Sequence, residues 1–216
     1  FSFHAPFADD IDITAIDQQR RTRSRDELMR AAEAAAMLDV RNFVIHPGPE
    51  KSGLPEKERM ERMQNAADVL DEVSKSCRKQ GVALVLENML PHLFSGHVRD
   101  LLWTLGTLQS TNVGICLDTG HAHLSGDLRT VVHKLSGHLW MVHASDNHGQ
   151  HDDHLPPGDG QIAWRPLLQQ LTEISFKGTI ILEIAASADG AAENVLDGAR
   201  RARRLLRGIS RSLGLR

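Results

Sequence analysis

Ala83-Leu-Val-Leu-Glu87 is a short apolar run that ends on an acid, with Gly81 just before it. Such a run is too short for a helix and lacks the alternation of a half-exposed strand, so it suits a strand buried on both faces. Its neighbours read the same way. Asn42-Phe-Val-Ile-His46 lies upstream and Gly114-Ile-Cys-Leu-Asp118 downstream, each an apolar run closed by an imidazole or a carboxylate. Working outward from them, strands are expected at 1–4, 42–46, 83–87, 113–118, 139–143 and 179–184.

Helical patterns fill the intervals. Ser24-Arg25-Asp26-Glu27 reads as a capping box ahead of Leu28, Ala31, Ala35 and Leu38 on one face. Met63, Ala66, Leu70, Val73 and Cys77 form the next stripe, which Gly81 closes. Further helices are expected at 98–108, 127–136, 164–174 and 190–207. No linker, repeat or composition break interrupts the pattern, so a single domain over 1–216 is expected. Strict β/α alternation implies an α/β fold with a parallel sheet and right-handed crossovers, either a barrel or a doubly wound sheet.

Composition narrows the classes. With 41% hydrophobic and 25% charged residues, the chain is neither disordered nor fibrous. No apolar run approaches the roughly 18 residues of a membrane span. Cys77 and Cys116 sit in no CxxC and cannot build a disulfide framework, which fits a cytoplasmic, reducing location. Seven arginines and no acid lie in 200–216, so the net charge of −3 leaves −10 on residues 1–199. Val195, Leu196, Ala199, Ala202, Leu206 and Ile209 keep a helical apolar stripe through that region, and the arginines read as its solvated face.

The chemistry lies in how the strands end. His4, His46, Glu87, Asp118, His143 and Glu183 each stand at the C-terminal end of an expected strand or one residue from it. In a β/α barrel these ends meet at one mouth, where active sites form. Neutral imidazoles and carboxylates gathered there suit a divalent ion such as zinc, manganese or iron. Asp118-Thr-Gly-His121 leaves a strand for a loop, placing Asp118 and His121 three residues apart. Downstream, the stretch His143-Ala-Ser-Asp-Asn-His-Gly-Gln-His-Asp152-Asp-His154 runs into Pro157-Gly-Asp-Gly160, a tight turn that would aim Asp152 and His154. His92, His97, His123, His133 and His138 read as surface or packing residues.

His-Pro-Gly at 46–48, Glu-Asn at 87–88, Gly-Ile-Cys-Leu-Asp-Thr-Gly-His at 114–121, the Asp-x-His…Gly-x-Gly stretch at 152–160 and Leu-Glu at 182–183 together resemble the xylose isomerase-like TIM-barrel superfamily. That superfamily holds sugar isomerases and epimerases and the endonuclease IV type of apurinic endonuclease. The resemblance implies a (β/α) TIM barrel in which His4 stands on the third of eight strands. Six strands would then be present and the first two βα units lacking, roughly a quarter of a ~250-residue barrel. Edges left open in this way would need covering, for instance by association into a homo-oligomer.

Two functions follow from the resemblance. In the epimerase branch Glu87, Asp118, His143 and Glu183 would hold one ion, commonly manganese, with Glu87 and Glu183 as the catalytic pair moving a proton through an enediolate of a small sugar or sugar phosphate. In the endonuclease branch His4, His46, His121, Asp152 and His154 would join those four to hold three zinc ions and cleave DNA at abasic sites. The acidic body, the absence of tyrosine and Gly120 in place of that branch's cysteine disfavour nucleic acid as the partner. The isomerase or epimerase is the expected activity.

Overall fold

The computed structural model describes residues 1–7, 10–186 and 192–214. The chain divides into two compact units, Phe1–Cys116 and Leu117–Arg216. The first contains β1 (Ser2–His4), α1 (Gln18–Met37), β2 (Asn42–Ile45), a 3-10 turn at Glu56–Glu58, α2 (Arg59–Lys79), β3 (Ala83–Glu87) and α3 (Val98–Thr107), then most of β4 (Val113–Asp118). The second contains α4 (Thr119–Leu124), α5 (Leu128–Leu135), β5 (Leu139–Ala144), α6 (Trp164–Glu173), β6 (Thr179–Leu182) and α7 (Ala192–Ser212). Six parallel strands alternating with helices are the expected α/β class.

In the first unit β1, β2, β3 and β4 lie side by side in that order, all parallel. The register pairs His4 with Val44, Val44 with Val85 and Glu87 with Cys116, so the C-terminal ends of the strands share one edge. Phe43, Val44, Leu84, Val85, Leu86 and Ile115 are all fully buried, which explains why these strands read as unbroken apolar runs. Leu28, Ala32 and Ala35 of α1 and Leu70, Val73 and Cys77 of α2 are buried as well. Each large aliphatic side chain buried in this way contributes about 1.5–3 kcal/mol. Burial also pushes the Cys77 thiol up to about 12, because a thiolate cannot be solvated there.

Helix α1 starts earlier than its sequence pattern indicates. Asp17 is its N-cap and accepts from Arg20 N at 2.7 Å. Ser24, expected as the cap, lies seven residues past it, nearly two turns inside the helix. Its hydroxyl donates to Arg20 O at 3.0 Å and accepts from Asp12 N at 2.8 Å, tying the preceding segment to the helix. Asp17→Ala is therefore expected to lower stability by about 1 kcal/mol, read as a shift in the denaturant midpoint. An unchanged midpoint would return the cap to Ser24.

In the second unit β5 and β6 pair in parallel, with His143 opposite Ile181. Val131, Val132 and Leu135 of α5 and Leu167, Leu168 and Leu171 of α6 are buried. Helix α7 continues to Ser212, five residues past its expected end, and residues 190 and 191 of its expected start lie outside the described residues. Its stripe holds, with Ala202 fully buried and Val195, Ala199, Leu206 and Ile209 half-buried, except that Leu196 is 54% exposed. Arg200, Arg201, Arg203, Arg204, Arg207 and Arg211 are exposed, as a solvated face should be. No helix among the described residues is long and apolar enough to cross a membrane.

Candidate metal centre

Three neighbouring strands deliver the first cluster. His4 ends β1, His46 follows β2 by one residue and Glu87 ends β3; their ligand atoms lie within 4.8 Å of one another. His4 Nδ1 donates to the carbonyl of Ala5 at 2.8 Å, which in a neutral ring would leave Nε2 as the nitrogen that carries the lone pair. That nitrogen faces Glu87 Oε2 at 3.1 Å, and His46 Nε2 stands 3.8 Å from the same oxygen. Lone pairs directed at a carboxylate repel unless a proton or a metal ion lies between them. A carbonyl that orients the imidazole from behind is the usual support of a metal-ligating histidine. Residue Glu50 flanks His46, with Oε1 3.1 Å from Nδ1, and Phe7 packs edge-on to His4 at 5.3 Å between ring centroids.

Two clusters belong to the second unit. His143 on β5 places Nδ1 2.9 Å from Oε2 of Glu183, which follows β6 by one residue and whose N–H donates to Ala144 O at 3.2 Å. The other joins α4 to the loop after β5. Asp152 Oδ2 lies 3.1 Å from His121 Nε2 and 3.1 Å from His154 Nε2. Burial alone would raise the Asp152 carboxyl, but hydrogen bonds from His121 and His154, then their charges, hold it well below the ordinary carboxylate range. The hydrogen bond to Asp152, opposed by burial and aided by Asp118 and Glu183, lifts His154 to about 9. Among the described residues, Oδ1 of Asp152 is buried without a hydrogen-bond partner. Two imidazoles converging on one carboxylate, with a spare acceptor beside them, make a nitrogen–oxygen donor set that suits zinc or manganese.

The Asp118–His121 segment is a short helix rather than the loop expected. Asp118 caps it, accepting from His121 N at 2.7 Å. Thr119 Oγ1 donates to Ser145 O at 2.7 Å and accepts from Ser145 N at 3.1 Å, fastening α4 to the end of β5. Gly120 is required by that contact, because a Cβ there would lie 2.6 Å from Ser145 Oγ. The small residue therefore follows from a neighbour in space. His123, expected as a surface or packing residue, donates from Nδ1 to Asn147 Oδ1 at 2.7 Å.

Sequence reading passed over Asp146 and Asn147. Asp146 is fully buried and Asn147 Nδ2 donates to Gly120 O at 3.0 Å. The signal was thin: one Asp among many polar residues, with its partners up to 18 positions away.

Parallel βα units with imidazoles and carboxylates at the strand ends define a barrel-type α/β class with polar groups at the strand ends of each unit. The chain matches the xylose isomerase-like TIM barrel family over residues 1–208 and belongs to it. Among sequence relatives, the uncharacterized protein MJ1311 of Methanocaldococcus jannaschii is 33% identical over 189 residues, covering 83% of this chain and 62% of the relative. The probable endonuclease 4 of Mycobacterium leprae is 27% identical over 169 residues, covering 74% of this chain and 63% of that protein. The chain thus spans less than two thirds of either relative. A D-tagatose 3-epimerase-like protein superposes with a TM-score of 0.85 at 27% identity, covering 98% of this chain and 79% of the other.

Proposed function

We propose that the protein is a divalent-metal-dependent isomerase or epimerase of a small sugar or sugar phosphate, working as one barrel domain in the cytoplasm. The observation that carries this reading is a carboxylate faced by imidazole at the strand ends of each unit: Glu87 by His4 at 3.1 Å and Glu183 by His143 at 2.9 Å. Barrel strands direct such groups to a common mouth. The likeness to a D-tagatose 3-epimerase-like protein supports a sugar as substrate.

In this reading Glu87, Asp118, His143 and Glu183 hold one manganese or zinc ion. When bound, the ion supplies Lewis-acid polarisation of neighbouring carbonyl and hydroxyl oxygens. Glu87 and Glu183 are the acid–base pair: one removes the proton beside the carbonyl, giving an enediolate, and the other, already protonated from solvent, delivers its own proton from the opposite side. Asp118 is held by its cap bond to His121 N, so its orientation is set before substrate arrives. His4, His46 and His121 offer donors and acceptors to sugar hydroxyls. Metal content of chelator-free protein, together with deuterium uptake from solvent into D-tagatose and D-fructose, tests the reading. At least one ion per chain and exchange abolished by chelator are expected. Exchange that survives complete metal removal would overturn it.

The cluster of His121, Asp152 and His154 favours keeping a second reading, an endonuclease IV-like zinc-cluster phosphodiesterase acting at abasic DNA. It predicts further zinc equivalents that depend on the loop. Titration of the intact protein should then show more zinc bound than titration of an Asp152→Ala, His154→Ala double variant. If both saturate at one equivalent with equal affinity, the loop is not a metal site and this second reading falls. Incision of an abasic-site duplex by the zinc-loaded protein would decide for it directly.

A further inference from the structure

Two residues beyond β5, Asp146 sits with none of its surface exposed. Its Oδ1 accepts from Asn147 N at 3.0 Å and from Ile162 N at 3.0 Å. Its Oδ2 accepts from Gly158 N at 2.9 Å and from the indole Nε1 of Trp164 at 2.7 Å. Four N–H groups thus occupy the four acceptor positions of one carboxylate. The backbone of Asp146 pairs with Leu155 in an isolated antiparallel bridge, N to O at 2.8 Å one way and 2.9 Å the other. The exit of β5, the 158 turn and the start of α6 are therefore tied to the Asp146 carboxylate, and residue 155 to its backbone.

Asp152 and His154 lie inside the loop that this group closes. His154 immediately precedes the bridged Leu155 and holds φ at 46°, a left-handed conformation that a non-glycine residue keeps only where its surroundings dictate it. Its imidazole Nε2 lies 3.1 Å from Asp152 Oδ2. The four side-chain bonds of Asp146 go to other groups, so its influence passes through the backbone.

We propose that Asp146 is the positioning residue of the His121, Asp152 and His154 cluster, fixing the loop so that these three groups converge as one cation-binding position. The proposal rests on the reading that this cluster binds metal. An amide in the same place offers one oxygen and turns its NH2 towards two N–H donors, leaving two of the four unsatisfied. Losing the orientation of a ligating group through its support typically costs 10–100-fold in metal affinity.

The test uses the full chain and zinc alone, titrated against a competing chelator, in the unchanged protein and in Asp146→Asn, Asp152→Ala and the double variant. Asp146→Asn is expected to weaken the loop-dependent zinc equivalent about 10–100-fold and to add nothing further in the Asp152→Ala background. Unchanged affinity, or an equal loss in both backgrounds, would overturn the proposal. Hydrogen exchange without metal provides the independent measure. Amides of 147–161 should lose protection in Asp146→Asn while those of β5 and β6 keep it. Should the unchanged protein and Asp152→Ala bind zinc alike, the metal reading of the loop fails, and exchange alone judges the positioning: retained protection at 152–155 overturns it and lost protection supports it. Trp164→Phe removes a single one of the four bonds without emptying the core. If Asp146→Asn does not fold, this variant is expected to show a several-fold loss of the same kind, and none would overturn the proposal.

Discussion

Glu183→Gln is expected to lower turnover by about 10²–10⁴-fold, the range set by removing a general acid or base. Glutamine keeps the shape of the side chain but can neither take up the proton nor bring negative charge to an ion. Glu183 stands one residue past β6, its N–H bonded to Ala144 O at 3.2 Å, so the backbone should be undisturbed and the loss chemical. His143 Nδ1, 2.9 Å from the Glu183 carboxylate, would face an amide instead. Metal content should fall together with activity. A variant that retains full metal and full turnover would remove Glu183 from both roles and leave Glu87 without its counterpart.

The second large effect is expected from Gly160→Ala, at about 3 kcal/mol, the upper part of the range for overpacking a filled site. A Cβ at 160 would lie 2.6 Å from Asn147 O and 2.7 Å from Asn147 N, and would also press on the Asp146 carboxylate. Backbone cannot give way as a flexible side-chain tip does, so the loop itself must shift, and Asp152 and His154 with it. Gly208→Ala in α7 is the contrast. Among the described residues, nothing beyond its chain neighbours and its own helix backbone lies within 4 Å of its added Cβ, and alanine there should stabilise by about 1 kcal/mol. Denaturant midpoints of the two variants moving in the same direction would contradict this reading of the loop.

Strands β3 and β4 were legible because burial on both faces leaves a simple signature. Ala83–Glu87 and Val113–Asp118 were located to the residue, since every position from 84 to 87 and from 113 to 118 is buried and none can be polar without a reason. That is also why Glu87 and Asp118 stood out. Helix α1 was harder. Ser24 and Glu27 imitate a capping box, while the real cap at Asp17 precedes Gln18-Gln-Arg-Arg, a polar first turn with no apolar stripe to announce it. Helix α4 has only six residues, too few for periodicity to show, and it exists because Asp118 and Thr119 are bonded at its start. Asp146 was not legible at all. Its meaning depends on Gly158, Ile162 and Trp164, which only the folded loop brings to it.

Cys77, buried in α2 with its thiol lifted to about 12, gives the molecule a built-in clock. At neutral pH almost none of it is thiolate while the helix is packed, so alkylating and oxidising reagents meet an unreactive group. Modification must wait for α2 to lift off β3 and expose the sulfur to water. With reagent in such excess that modification outpaces reclosing, the labelling rate of this residue therefore counts openings of the first unit's core. A ligand that tightens that unit would be seen as slower labelling, with no substrate assay required.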